Sequence, residues 1–153
     1  MPKVCIVIPA YNESDVIYKV ITDIDRLLSK RSFSYCIVVV DDGSKDSTTK
    51  EARRAGAHVI QHLVNTGSGG STATGLSYAY RKHFDIAATI DADGQHSPKD
   101  LVKGIELMSR KNNQCDLLIG SRLLKMNNMS FLNKLFLVYQ LEALHSLSQV
   151  SAR

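Results

Sequence analysis

At 153 residues the chain has room for one domain with a single sizeable core. A content of 44% hydrophobic and 22% charged residues is that of an ordinary globular protein and argues against disorder or a repeat array. The formal charge of +4 comes from scattered basic residues, so it favours acidic partners such as phosphates or anionic lipid, and nucleic acid is not expected.

Val4 to Ile8 is a continuous apolar run, as expected of a strand buried on both faces of a parallel sheet, and Pro9 stops it. After the loop Pro9 to Glu13, Ser14 or Asp15 is an expected N-cap. Val16, Ile17, Val20, Ile21, Ile24, Leu27 and Leu28 then recur at helical spacing. Tyr35 to Val40 is a second buried strand, ended by Asp41-Asp42-Gly43-Ser44. A short helix over 47–55 closes at Gly56, and Val59 to Leu63 is a third strand. Asn65 to Gly70 reads as a flexible glycine loop before a helix facing inward through Ala73, Leu76, Ala79 and Tyr80.

Ala87 to Ile90 is a fourth strand, and it runs into Asp91-Ala92-Asp93-Gly94-Gln95-His96. Ser97, Pro98 and Asp100 then form a helix start with a capping pattern, and Leu101, Ile105 and Met108 give its buried stripe. Asp116 to Gly120 is a fifth strand, left by Ser121-Arg122. The alternation of strand and helix argues for an α/β domain with a mostly parallel sheet. From Leu123 the pattern changes to a helical segment that is apolar around much of its circumference, through Leu135, Phe136, Leu137 and Val138. It needs a second surface to cover it and is compatible with peripheral membrane contact.

Cys5, Cys36 and Cys115 show neither zinc-ligand spacing nor a disulfide framework and read as reduced core residues of a cytosolic protein. No signal peptide precedes Val4, and no uninterrupted apolar run approaches the length needed to span a bilayer.

Three strand ends carry polar clusters: Pro9 to Glu13, Asp41 to Ser44, and Asp91 to His96. In an open α/β sheet ligands collect outside the carboxyl ends of the strands, so neighbouring strands would bring these clusters into one cleft. Asp91 and Asp93 repel each other unless a proton or cation intervenes, and Mg²⁺ or Mn²⁺ suits a pair of carboxylates completed by substrate phosphate. An ordinary turn explains Asp-x-Asp about as well on its own. The glycine loop lacks both the dinucleotide and the P-loop patterns. Arg122 stands at the same edge with a donor fork suited to a diphosphate. His58, His62, His83 and His145 show no ligand spacing and read as structural or surface residues.

Val7-Ile8-Pro9-Ala10-Tyr11-Asn12-Glu13, Val40-Asp41-Asp42-Gly43-Ser44, Asn65-x-Gly67, Asp91-Ala92-Asp93-Gly94-Gln95-His96-x-Pro98 and Ile119-Gly120-Ser121-Arg122 occur in an order and spacing that resemble family 2 glycosyltransferases. The nearest branch is similar to the dolichol-phosphate mannosyltransferases and polyprenyl-phosphate glycosyltransferases. The resemblance implies a GT-A fold, a Rossmann-like sheet with helices on both faces, with a nucleotide-sugar-binding core over 1–124. The apolar helical segment 125–153 would then begin an incomplete acceptor-binding region.

It implies an inverting transfer of a sugar from a UDP- or GDP-hexose to an acceptor, with a polyprenyl or dolichyl phosphate expected, at the cytoplasmic face of a membrane. Pro9, Tyr11, Glu13, Asn65 and Gly67 would line the nucleotide-sugar pocket, with Asp42, more than Asp41, reading the base. Asp91 would lie near ribose and metal, Asp93 and Gln95 would hold the ion, and Arg122 would contact the donor phosphates. The catalytic set implied is Asp91, Asp93 and Arg122. Two departures stand out: Ser68 takes the place of a lysine common in the family, and family members continue past the point where this chain stops. A non-catalytic nucleotide-sugar-binding remnant is one alternative. Another is a haloacid-dehalogenase-type phosphatase, whose Asp-x-Asp signature resembles Thr89 to Gly94 but belongs on the first strand.

Overall fold

The computed structural model describes residues 1–110, 115–121 and 135–140. Six strands form one sheet: β1 (Lys3–Ala10), β2 (Ser34–Asp41), β3 (His58–Gln61), β4 (Ile86–Thr89), β5 (Leu117–Ser121) and β6 (Leu135–Gln140). Their order across the sheet is β3-β2-β1-β4-β6-β5. β1 pairs in parallel with β2 on one side and β4 on the other, and β3 continues in parallel from β2. β6 runs antiparallel between β4 and β5. The order reverses at β1, so the crevice between the ends of β1 and β4 is the topological switch point where such sheets take their ligands.

Among the described residues four helices cover the sheet: α1 (Ile17–Leu28), α2 (Thr48–Arg54), α3 (Gly67–Arg81) and α4 (Pro98–Met108). Alternation along β1 assigns its residues to two cores. Val4, Ile6 and Ile8 pack with Ile17, Ile21, Ile24 and Leu28 of α1, Ala52 of α2, and Leu101 and Ile105 of α4. Cys5 and Val7 pack with Val38, Val40 and Ala79 on the opposite face, under α3. Both faces are covered, which is why the central strands are apolar throughout.

α3 departs from the sequence reading in two ways. The glycine stretch belongs to its first turn, because the helix begins at Gly67. Its buried stripe is Ser71, Gly75 and Ala79, while Ala73 is exposed. Small residues at every fourth position let the helix axis approach the sheet, a criterion that counting apolar side chains overlooks.

Other expectations are corrected at element ends. Neither Ser14 nor Asp15 caps α1, whose N-cap is Val16, and Ser97 precedes Pro98 without a side-chain capping bond. Gly56, at φ +90°, does follow α2 in the left-handed conformation. Cys115, read as a core residue, is exposed.

Residues 135–140, expected within an apolar helix, instead form β6. A short continuous apolar run suits a buried strand as well as a helix, and the open edges of β4 and β5 supply backbone partners on both sides. The rest of segment 125–153 lies outside the described residues.

Candidate nucleotide-sugar site

The tips of β1, β2 and β4 meet at a cleft of about 360 Å³. Pro9, Tyr11 and Glu13 form one side, Asn65, Gly67 and Ser68 a second, and Asp91, Ala92 and Asp93 a third. Asp42 and Ser71 lie at its floor, both buried. Eight residues singled out from the sequence are thus brought together: Pro9, Tyr11, Glu13, Asp42, Asn65, Gly67, Asp91 and Asp93. Asp41 and Gln95 are not among the lining residues. Arg122 lies outside the described residues.

The loop carrying Tyr11 and Glu13 is stitched to the loop after β2. Asn12, at φ +55°, donates its backbone N–H to Ser44 Oγ at 2.9 Å, and its side-chain oxygen accepts from Lys45 N at 2.9 Å. Glu13 N donates to Thr48 Oγ1 at 2.8 Å, and Ser14 N to Asp46 Oδ2 at 3.1 Å. Burial alone would raise the pKa of Asp46, but hydrogen bonds from Thr48 and Ser14 outweigh it and bring the carboxyl down to about 2. Side-chain acceptors thus take the N–H groups of Asn12, Glu13 and Ser14, while the Glu13 carbonyl accepts from Val16 N and Ile17 N at the start of α1.

Asp41 and Asp42 divide two tasks. Asp41 turns away from the cleft, accepting from Ser44 N at 2.9 Å and from the Thr49 hydroxyl, so it ties the turn to α2. Asp41, expected beside the base, thus has its carboxylate engaged with the turn and α2 rather than lining the cleft. Asp42 caps α3 from a distance. It accepts from Thr66 N at 2.9 and 3.0 Å, Gly67 N at 2.7 Å, Thr66 Oγ1 at 2.8 Å and His62 Nδ1 at 2.8 Å.

Burial would by itself push the Asp42 carboxyl up. The bonds from Thr66 and His62, with the nearby Ser71 hydroxyl, prevail and hold it well below the usual carboxylate range. Ser71 Oγ itself is buried without a hydrogen bond of regular geometry. Two amides at the start of α3, Thr66 N and Gly67 N, are therefore already taken by Asp42.

Asp91 and Asp93 stand opposite. Asp91 is half exposed, and the buried His96 ring sets its Oδ2 3.2 Å from Nε2. Asp93 Oδ1 accepts from Gln95 N at 2.8 Å, so Gln95 shapes the turn through its backbone. Glu13 faces the same space: burial first, and then the charges of Asp93, Asp46 and Asp91, raise its pKa. A carboxylate whose proton affinity is raised by the charges of its carboxylate neighbours, as that of Glu13 is, marks a place that a hard divalent cation suits. Among the described residues no three such side chains converge into a complete cage, so an ion there must draw further ligands from bound phosphate and water. His62, which spacing marked as structural or surface, bonds Asp42 of the cleft, a contact the sequence reading did not foresee. Its place at the end of β3, beside the other strand tips, was the available signal.

The family described as glycosyl transferase family 2 matches residues 5–134. A UDP-N-acetylglucosamine–dolichyl-phosphate N-acetylglucosaminyltransferase of Methanococcus voltae is 36% identical over 135 residues, covering 77% of this chain and 51% of that protein. A dolichol-phosphate mannosyltransferase of Pyrococcus furiosus is 34% identical over 141 residues, covering 87% of this chain and 38% of that protein. The chain thus spans about half the length, or less, of these curated relatives.

Among solved structures, glucosyl-3-phosphoglycerate synthase of Mycobacterium tuberculosis superposes with a TM-score of 0.70 at 21% identity, over 95% of this chain and 59% of that one. The same enzyme in complex with Mn²⁺, UDP and glucosyl-3-phosphoglycerate gives a TM-score of 0.58 at 26% identity, over 70% of this chain and 39% of that one. The fold is GT-A. An Asp-x-Asp following the fourth strand of such a sheet does not fit the phosphatase alternative, whose signature belongs on the first. By its family match and its fold, the chain belongs to glycosyl transferase family 2.

Proposed function

We propose that this chain forms the donor-binding core of a metal-dependent, inverting glycosyltransferase that moves a hexose from UDP or GDP to a polyprenyl or dolichyl phosphate. The observation that carries the reading is the meeting of Glu13, Asp91 and Asp93 in one cleft at the sheet's switch point. Relatives named for transfer to dolichyl phosphate support the acceptor class, and the Mn²⁺ and UDP of the neighbouring structure support the donor and the ion.

Asp91 and Asp93 would hold the divalent ion, which when bound supplies neutralising charge for the departing nucleoside diphosphate. The chain's own residues do the rest. Pro9, Tyr11 and Asp42 bound the space for the nucleoside, and the Asn65–Ser68 wall closes it from the side. His96 fixes the rotamer of Asp91 by bonding one carboxylate oxygen, leaving the other directed to the ligand. A phosphate acceptor is anionic at neutral pH, so its oxygen attacks the anomeric carbon with little need of a general base; a hydroxyl acceptor would need one. Arg122 is proposed to contact the donor phosphates. The site of action proposed is the cytoplasmic face of a membrane.

Calorimetric titration of UDP, GDP and their hexose conjugates tests the proposal. The expected result is binding of one nucleotide series with Mn²⁺ or Mg²⁺, abolished by chelator and by Asp93→Asn. Incubation with a polyprenyl phosphate should then give glycosyl lipid. Binding without transfer assigns this chain as a nucleotide-sugar-binding module, and absence of metal-dependent binding rejects the site.

A further inference from the structure

His62 follows β3 and reaches α3, where both nitrogens of its ring find partners. Nδ1 lies 2.8 Å from Asp42 Oδ1 and 3.1 Å from Thr66 Oγ1, and Nε2 lies 3.0 Å from Thr74 Oγ1. An ionised carboxylate only accepts, so Nδ1 carries the proton that faces Asp42. In the neutral ring Nε2 then accepts from the Thr74 hydroxyl. The Asp42 oxygen that His62 holds also accepts from the backbone and hydroxyl of Thr66. Thr66 is the N-cap of α3 and Thr74 lies about two turns further along it, so one imidazole links the tip of β2 to two levels of the helix.

The side chains of His62 and Asp42 are 16% and 4% exposed, so water screens this network little. The segment it holds has little stiffness of its own. Gly67, at φ +83°, Gly69 and Gly70 occupy the first turn, where each glycine weakens a helix. Gly67 and Ser68 of that turn, with Asn65 just before it, line one wall of the cleft.

We infer that His62 is a positioning residue of the donor cleft, clamping the first turns of α3 through Asp42 and Thr74 so that this wall stands at the spacing a nucleoside diphosphate requires. The inference rests on the proposal that the cleft takes such a ligand. A merely structural histidine would lower stability alone and leave the affinity of the folded protein unchanged. His62→Asn keeps a donor on a shorter side chain; His62→Ala removes all three contacts.

The test compares amide hydrogen exchange at Thr66 and Gly67 with that in β1, and measures UDP and GDP affinity with Mn²⁺ by calorimetry. His62→Ala should speed exchange at Thr66 and Gly67 by about tenfold with β1 unchanged, and weaken nucleotide binding by about tenfold, on the scale of a lost buried hydrogen bond to a charge. His62→Asn should recover part of both. If His62→Ala does not fold, Thr74→Val, which removes only the Nε2 partner, should give a smaller rise in exchange at the same two amides.

Unchanged exchange in a folded variant overturns the clamp, whatever the wild type binds. Faster exchange with unchanged affinity overturns the positioning role. If wild type binds neither nucleotide, the donor reading falls and takes the positioning role with it, while the exchange result still decides the clamp.

Discussion

Gly75 of α3 lies against Val7 of β1 so closely that a Cβ added to the glycine would stand 2.1 Å from Val7 Cγ1. No side chain fits there unless helix and strand separate. Gly75→Ala gains helix propensity but forces that separation, and overpacking of this kind costs about 1–3 kcal/mol. The expected outcome is a lower denaturation midpoint and weaker nucleotide binding, because α3 carries the cleft wall. Val7→Ala combined with Gly75→Ala should be less destabilising than the sum of the single changes, measured as a double-mutant cycle in urea. Additive effects would show that the two positions do not touch.

Acid should unfold the chain through the caps of its loops. Asp42 is held well below the ordinary carboxylate range, and Asp46 is brought down to about 2, in each case by hydrogen bonds that outweigh burial. Both groups bind protons more weakly folded than unfolded. As pH falls through the ordinary carboxylate range the unfolded chain takes up more protons, and stability drops. The contribution is complete above about pH 5 and is lost progressively toward pH 2. Urea midpoints measured from pH 7 to 2.5 should follow that limb. Asp42→Asn should start lower at neutral pH and show a flatter acid decline.

Strands β1, β2 and β4 were legible because each is a continuous apolar run, and the polar clusters at their tips were legible because each run stops abruptly at polar residues. What brings them together is long-range: the order β2-β1-β4 decides that Pro9, Asp42 and Asp91 share a cleft, and no local spacing encodes it. The role of Asp42 as a cap escaped the sequence because its partners Thr66 and Gly67 lie 24 and 25 positions away. The start of α3 escaped because three glycines argue locally for a loop, and a remote carboxylate overrides them. Residues 135–140 escaped because a run of five apolar and aromatic residues, Leu135 to Tyr139, takes whichever structure the open sheet edges impose.

Glu13 should report the cation directly. Its pKa is raised by burial and by Asp93, Asp46 and Asp91, so the folded chain holds its proton more tightly than the unfolded chain does. Stability from this group is therefore present at low pH and lost as pH rises through the raised value, the reverse of Asp42. Glu13→Gln should raise the melting temperature at pH 7.5 without divalent ions, and the gain should shrink toward pH 4. Mn²⁺ supplied with the nucleotide should erase the advantage by relieving the repulsion in wild type. Equal melting temperatures at both pH values would show that the carboxylates do not sense each other.

The three thiols should separate by reactivity in the order of their access. Cys5 and Cys36 are register partners on β1 and β2, both on the face beneath α3. Burial, with a smaller part from Cys36, pushes the Cys5 thiol up to about 12, and burial also raises Cys36, which is only half covered. Alkylation requires the thiolate, so at pH 8 both are slow for want of the reactive form as well as for want of access. Cys115 is exposed, and iodoacetamide should label it first, Cys36 later, and Cys5 only when α3 lifts from the sheet. The Cys5 rate is then a gauge of that opening, read by peptide mass spectrometry. It should rise in Gly75→Ala, which pries α3 from β1, and change little in Glu13→Gln, which acts at the far side of the cleft. Labelling of Cys5 in step with Cys115 in the wild type would mean that α3 does not stay seated on the sheet.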